Sequence, residues 1–88
     1  MSLSDTFSAL ADPTRHKILQ LLKKKDMSAG DIGSHFEMSA PSISHHLNIL
    51  KQSDLVRSRR DGQEIIYSLS ASTFEELSDT MINFFKIK

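Results

Sequence analysis

Leu3, Phe7 and Leu10 recur at i, i+4 and i+7, which places them on one face of a first helix. Asp12-Pro13 restarts the chain. Asp12 can accept from the first turn of a second helix, and Pro13 suits its first position, where no N–H is needed. Ile18, Leu19 and Leu22 form the apolar stripe of that helix, and Lys23, Lys24 and Lys25 close it, where cations favour the negative end of the dipole. Ser28 and Asp31 then form a capping box, with Met27 and Ile32 placed as a hydrophobic staple. The pattern predicts a third helix from about Ala29 to near Phe36, short and weakened by Gly30 and Gly33. Gly33 suits a close crossing by another helix. Ser39 caps a fourth helix with Ala40 and Pro41 in its first turn, and Ile43, Leu47 and Leu50 mark its buried face. Only Glu37 to Ser39 link the two, which reads as a helix-turn-helix. Glu37 stands where Gly or Asn would more easily take a left-handed conformation, so slight strain is expected there.

Leu55 to Arg60 and Gln63 to Ser70 are extended runs joined by Asp61-Gly62, a type I′ hairpin signal. A two-residue loop at Asp61-Gly62 predicts Arg60 opposite Gln63, Arg59 opposite Glu64 and Val56 opposite Tyr67. Val56, Ile65 and Tyr67 then share the face that packs on the helices, and Arg57 and Arg59 share the other. Phe74, Leu77, Met81, Ile82 and Phe85 recur at helical spacing in a last helix, and Phe84 and Ile87 widen its stripe beyond what one small core needs. The expected fold is mainly α with a β-hairpin wing, four helices, the hairpin, then a fifth helix. It fills residues 1–88 as a single domain, with the helix-turn-helix at about 28–53 and the wing at about 55–70.

Composition narrows the function. Leu, Ile, Val and Phe make up about 27% of the 88 residues, above the ~20% below which chains usually stay disordered. A domain this short buries a small core and often gains stability from a partner subunit. Cys is absent, so disulfides, thiolate metal sites and cysteine redox switching are excluded. No apolar run is long enough to span a membrane, and the first residues lack the pattern of a signal peptide, so a soluble cytoplasmic protein is expected. With three Gly and no phosphate loop, Ser/His/Asp spacing or paired carboxylates, an enzyme is not expected.

A helix-turn-helix followed by a basic-tipped hairpin is the winged-helix arrangement, whose second helix enters a DNA major groove. The candidate DNA-binding residues are Ser39, Ser42, Ser44, His45 and Asn48 on the fourth helix, and Arg57, Arg59, Arg60 and Gln63 on the wing. Ser donates or accepts toward bases and phosphates, and His can donate from either ring nitrogen. Net charge is zero, and residues 37–70 balance Lys51, Arg57, Arg59 and Arg60 against Glu37, Asp54, Asp61 and Glu64. Few phosphate contacts and a shallow salt dependence follow. Simpler roles stand beside these. Arg59 can pair with Glu64 across the hairpin, the three lysines can be a solvated helix end, and His46 can sit at the core edge, bonded to a neighbouring element. His45 and His46 point about 100° apart on a helix and chelate a metal poorly together, even with His35 nearby.

Three segments resemble the ArsR/SmtB repressors: Phe7-Ser8-Ala9-Leu10-Ala11-Asp12-Pro13-Thr14-Arg15, Ser42-Ile43-Ser44-His45-His46-Leu47-Asn48-Ile49-Leu50-Lys51, and Arg60-Asp61-Gly62-Gln63 followed by Tyr67-Ser68-Leu69. The likeness covers nearly the whole chain and is nearest the family's metal-independent autorepressor type. It implies a homodimer joined through the first and last helices, at about 3–11 and 72–86, that binds an inverted repeat in double-stranded operator DNA. Leu3, Phe7, Met81, Phe84 and Phe85 are the expected dimer contacts. Many members sense metals, either through Cys at the third helix or through an Asp-x-His pair with later His or Glu on the last. Here Cys is absent, Asp79 is followed two residues later by Met81, and no His occurs after His46. No metal site and no cofactor are therefore expected, and release falls to expression level, a protein antagonist or a small ligand at the dimer interface. The competing functions are a winged helix that docks proteins, and a metal-responsive repressor with an atypical His/carboxylate site.

Overall fold

The computed structural model of the chain describes residues 3–85 of the 88. Ile87, and the side chains of Leu3 and Phe85, lie outside the described residues. The elements are α1 (Leu3–Ala11), α2 (Pro13–Lys24), β1 (Met27–Ser28), α3 (Ala29–Gly33), α4 (Ala40–Gln52), β2 (Val56–Asp61), β3 (Glu64–Leu69) and α5 (Ala71–Phe85). Three helix starts follow from local chemistry. Asp12 is extended and its carboxylate accepts from the Arg15 N–H at 3.1 Å, ahead of Pro13. The Ser28 hydroxyl accepts from the Asp31 N–H at 3.1 Å, and that of Ser39 from the Ser42 N–H at 3.3 Å.

α3 stops at Gly33, short of the expected Phe36. Two glycines in so short a helix weaken it, and the Ser34 hydroxyl donates to the Asp31 carbonyl at 2.7 Å. Beyond it, the His35 N–H bonds the Ile32 carbonyl at 3.1 Å and the Phe36 N–H bonds that of Gly33 at 3.0 Å, so the chain tightens into turns. The link to α4 is therefore residues 34–39. Phe36 anchors it against the core, with Lys17 Nζ 5.1 Å from its ring centroid.

The strain expected at Glu37 falls elsewhere: among the described residues the non-glycine with positive φ is Asp54, at 58°. Asp54 ends α4 in a Schellman motif, its N–H on the Lys51 carbonyl at 3.1 Å and the Leu55 N–H on that of Leu50 at 3.0 Å. Leu50 and Leu55, the apolar pair that accompanies this motif, are both fully buried. Asp54→Gly is expected to raise stability by about 0.5–1 kcal/mol, because glycine carries no Cβ penalty there. Urea unfolding midpoints check it, and a lower midpoint contradicts it.

The sheet is antiparallel in the order β1-β3-β2. Asp61 pairs with Glu64, Arg60 with Ile65, Arg59 with Ile66 and Val56 with Leu69, so the turn is Gly62-Gln63, one residue beyond the expected loop. A type I′ turn at Asp61-Gly62 needs positive φ at both residues, and only Gly62 has it, at 66°. Gly at the first loop position fits a type II′ pattern instead. Sliding the turn by one changes every partner but keeps each side chain on its face, so Val56, Ile65 and Tyr67 still look toward the helices. β1, unanticipated from the sequence, pairs Met27 with Tyr67 and Ser28 with Ile66, tying the start of α3 to the wing.

The core joins Ile18, Leu19 and Leu22 of α2, Ile32 of α3, and Ile43, Leu47 and Leu50 of α4 to Met27, Leu55 and Val56. Ala9 of α1 and Leu77 of α5 close it. The α5 stripe begins on this core at Phe74 and Leu77 and continues along the same face to Met81 and Phe84, which are 47% and 68% exposed. Ile82 beside them is 52% exposed, and Phe7 of α1 is 42% exposed.

Candidate nucleic-acid interface

α4 is two-faced because its buried residues recur every three to four positions. Ile43, Leu47 and Leu50 fix it to the core, and Ser42, Ser44, His45 and Asn48 are all exposed on the remaining surface. Ser39 is exposed at its start, where its hydroxyl caps the helix and donates to the Ser42 hydroxyl at 3.0 Å. The helix has 13 residues, about 20 Å at 1.5 Å per residue, enough to lie along a groove. Met38, just before the cap, is also exposed.

The wing arginines, grouped together by sequence, differ in their surroundings. Arg57 is held back at the base of the wing, Nε donating to the Ser70 hydroxyl at 3.5 Å and Nη2 to that of Ser72 at 3.4 Å. Arg59 pairs with Asp26 at 3.1 Å rather than with Glu64, since the register sets it opposite Ile66. Arg60 and Gln63 stand exposed by the hairpin turn. No local pattern points to Asp26, which lies 33 positions before Arg59.

A second cluster bears out the expected place of His46 at the core edge, bonded to a neighbouring element, and names its partner as Arg15 of α2. His46, one step of 100° from His45, falls at the edge of the buried stripe. Its Nδ1 is 3.3 Å from Nη1 of Arg15 and 3.9 Å from the Asp12 carboxylate. Arg15 also donates through Nε to the Ala9 carbonyl at 2.9 Å and through Nη2 to that of Ser8 at 3.5 Å. The Arg15 backbone N–H lowers the pKa of the Asp12 carboxyl from its ordinary value, with smaller help from the Arg15 guanidinium charge. The motif Asp-Pro-Thr-Arg signalled that these residues matter, but not that His46 was their partner.

The chain has no Cys, and α5 carries Asp79 and Met81 without His. Among the described residues, no three His, Cys, Asp or Glu side chains are grouped as a metal ion would need.

This architecture has close parallels. The chain is 52% identical over 82 residues to the transcriptional repressor SdpR of Bacillus subtilis, covering 93% of this chain and 91% of that protein. It is 33% identical to an arsenical resistance operon repressor of Staphylococcus xylosus, over 90% of this chain and 76% of that one. An ArsR-like transcriptional regulator from Rhodococcus superposes with a TM-score of 0.84 at 33% identity, covering 93% of this chain and 77% of that one. Residues 12–58, from the cap of α2 into the wing, match the family described as bacterial regulatory protein, arsR family, a family of regulators and not of catalysts. The chain belongs to the ArsR family of winged helix-turn-helix regulators.

Proposed function

We propose that the protein is a homodimeric, sequence-specific transcriptional repressor that binds an inverted-repeat operator without a metal cofactor. The observation that carries this reading is α4, a capped helix whose exposed surface presents Ser42, Ser44, His45 and Asn48 opposite its buried stripe. His45 and Asn48 read base edges, Ser39, Ser42 and Ser44 contact phosphates or bases, and Arg60 and Gln63 carry the wing to the adjacent groove or backbone. Arg57 and Arg59 reach DNA only by giving up their present partners. Phe7, Met81 and Phe84 form the dimer face, which sets half-sites about one helical turn, ~10 bp, apart. The lack of Cys, and of His on α5, supports metal independence, and release then falls to expression level, a protein antagonist or a small ligand at the dimer interface. A cytoplasmic site of action agrees with the absence, among the described residues, of any helix long and apolar enough to cross a membrane.

Two substitutions test the assignment of roles. His45→Ala is expected to weaken binding to a duplex selected by the wild-type protein about 30-fold or more, since the reader acts in both half-sites and a good base contact is worth about 1–3 kcal/mol in each. Its melting temperature stays near wild type because His45 is exposed. Unchanged affinity removes His45 as a reader. Asp26→Asn frees Arg59 and is expected to steepen the salt dependence by roughly one counterion per protomer. Anisotropy titrations between low and moderate salt read the slope, and an unaltered slope places Arg59 away from phosphate.

A further inference from the structure

We infer that Arg15 is a positioning residue for DNA binding, coupling the dimer helix α1 to the recognition helix α4 through His46. This rests on the repressor reading above and names the part that sets α4 against the dimer axis. The last carbonyls of α1 need donors, and α1 supplies no basic residue in its final turn. Arg15, from α2, donates to two of them, Ser8 and Ala9. The same guanidinium reaches Nδ1 of His46 on α4. A guanidinium only donates, so Nδ1 is the acceptor and the neutral ring carries its proton on Nε2. Asp12 fixes the root of the arrangement by bonding the Arg15 N–H, 3.1 Å away.

Position gives the cluster its function. The turn of α1 that Arg15 grips also carries Phe7, which faces outward. The α4 residue it grips is next to His45, and the two imidazole centroids are 6.1 Å apart. Between α1 and α4 lies a cleft of about 330 Å³, bordered by Ser8, Ala9, Ile49 and Gln52, with Arg15 in its wall. Close apolar packing therefore does not fill this space, and a planar fork with fixed directions spans the two helices. Lysine cannot replace it, because one ammonium on a flexible stem does not serve two α1 carbonyls and the imidazole with fixed geometry.

The test uses full-length protein and a duplex that the wild-type protein selects from a random library. Arg15→Lys, His46→Leu and His46→Asn are compared at concentrations where sedimentation shows a dimer and circular dichroism shows a folded chain. Asn keeps an acceptor near the place of Nδ1. Arg15→Lys and His46→Leu are expected to lose roughly tenfold in affinity for the selected duplex, with little change on a scrambled one, and His46→Asn to recover most of the loss. A purely structural role would lower melting temperatures but leave the folded dimers' preference for the selected duplex intact, and that result overturns the proposal. Failure of the wild-type protein to select any sequence overturns the repressor reading instead, and the proposal with it.

Discussion

Met81→Glu is expected to give a folded monomer that has lost most of its operator affinity. Met81 continues the stripe that Phe74 and Leu77 seat on the core, yet it is 47% exposed, so a carboxylate there leaves the fold of the single chain intact. In a two-fold dimer the change enters the interface twice, and each buried, unpaired charge is expensive. Dimer dissociation should rise about 10³-fold or more, on the order of several kcal/mol over both copies. A monomer engages one half-site, so affinity for an inverted repeat falls roughly 100-fold or more through lost bivalency. Sedimentation equilibrium and anisotropy measured on the same preparation read both effects. A dimer that survives the substitution places the interface elsewhere.

The second large effect is in the core. Leu47 is 1% exposed, on the face of α4 that meets α2 and α3. Leu47→Ala is expected to cost about 2–5 kcal/mol, the transfer term plus the cavity left behind. Against a typical total of about 5–15 kcal/mol, that is a large share for a small domain. The melting temperature should fall by roughly 10 °C or more at fixed protein concentration. Specific binding should suffer as well, since the same residue seats the recognition helix. A fall of only about 1–2 °C would mean that α4 is not held by this contact.

Local chemistry was legible in the sequence, and pairing across distance was not. Asp12, Ser28 and Ser39 each cap a helix within three residues, so their roles follow from spacing alone. The apolar stripes of α2, α4 and α5 were equally readable, and so was the surplus at Phe84. The hairpin was visible but its register was not, because Asp61-Gly62 and Gly62-Gln63 both offer a glycine turn, and the φ of Asp61 decides between them. β1 has two residues and takes its meaning from β3, some 40 positions away. Separations of 33 and 31 positions hid the Arg59–Asp26 pair and the identity of Arg15 as the partner of His46. Both change how the candidate interface works. One partly neutralises a wing cation and the other ties the recognition helix to α1. With zero net charge and two of three wing arginines engaged, the proposed reading rests its affinity on the face of α4, on Arg60 and Gln63 at the wing, and on the proposed dimer.

Sequence-specific DNA binding is measured by fluorescence-anisotropy titration of the purified protein at one fixed salt concentration. The duplex upstream of its own gene is compared with a scrambled duplex of equal length. Binding to the native duplex is expected to be about a hundredfold or more tighter. Equal, weak binding to both, repeated with duplexes from a random-library selection, would contradict it and favour a winged helix that docks proteins.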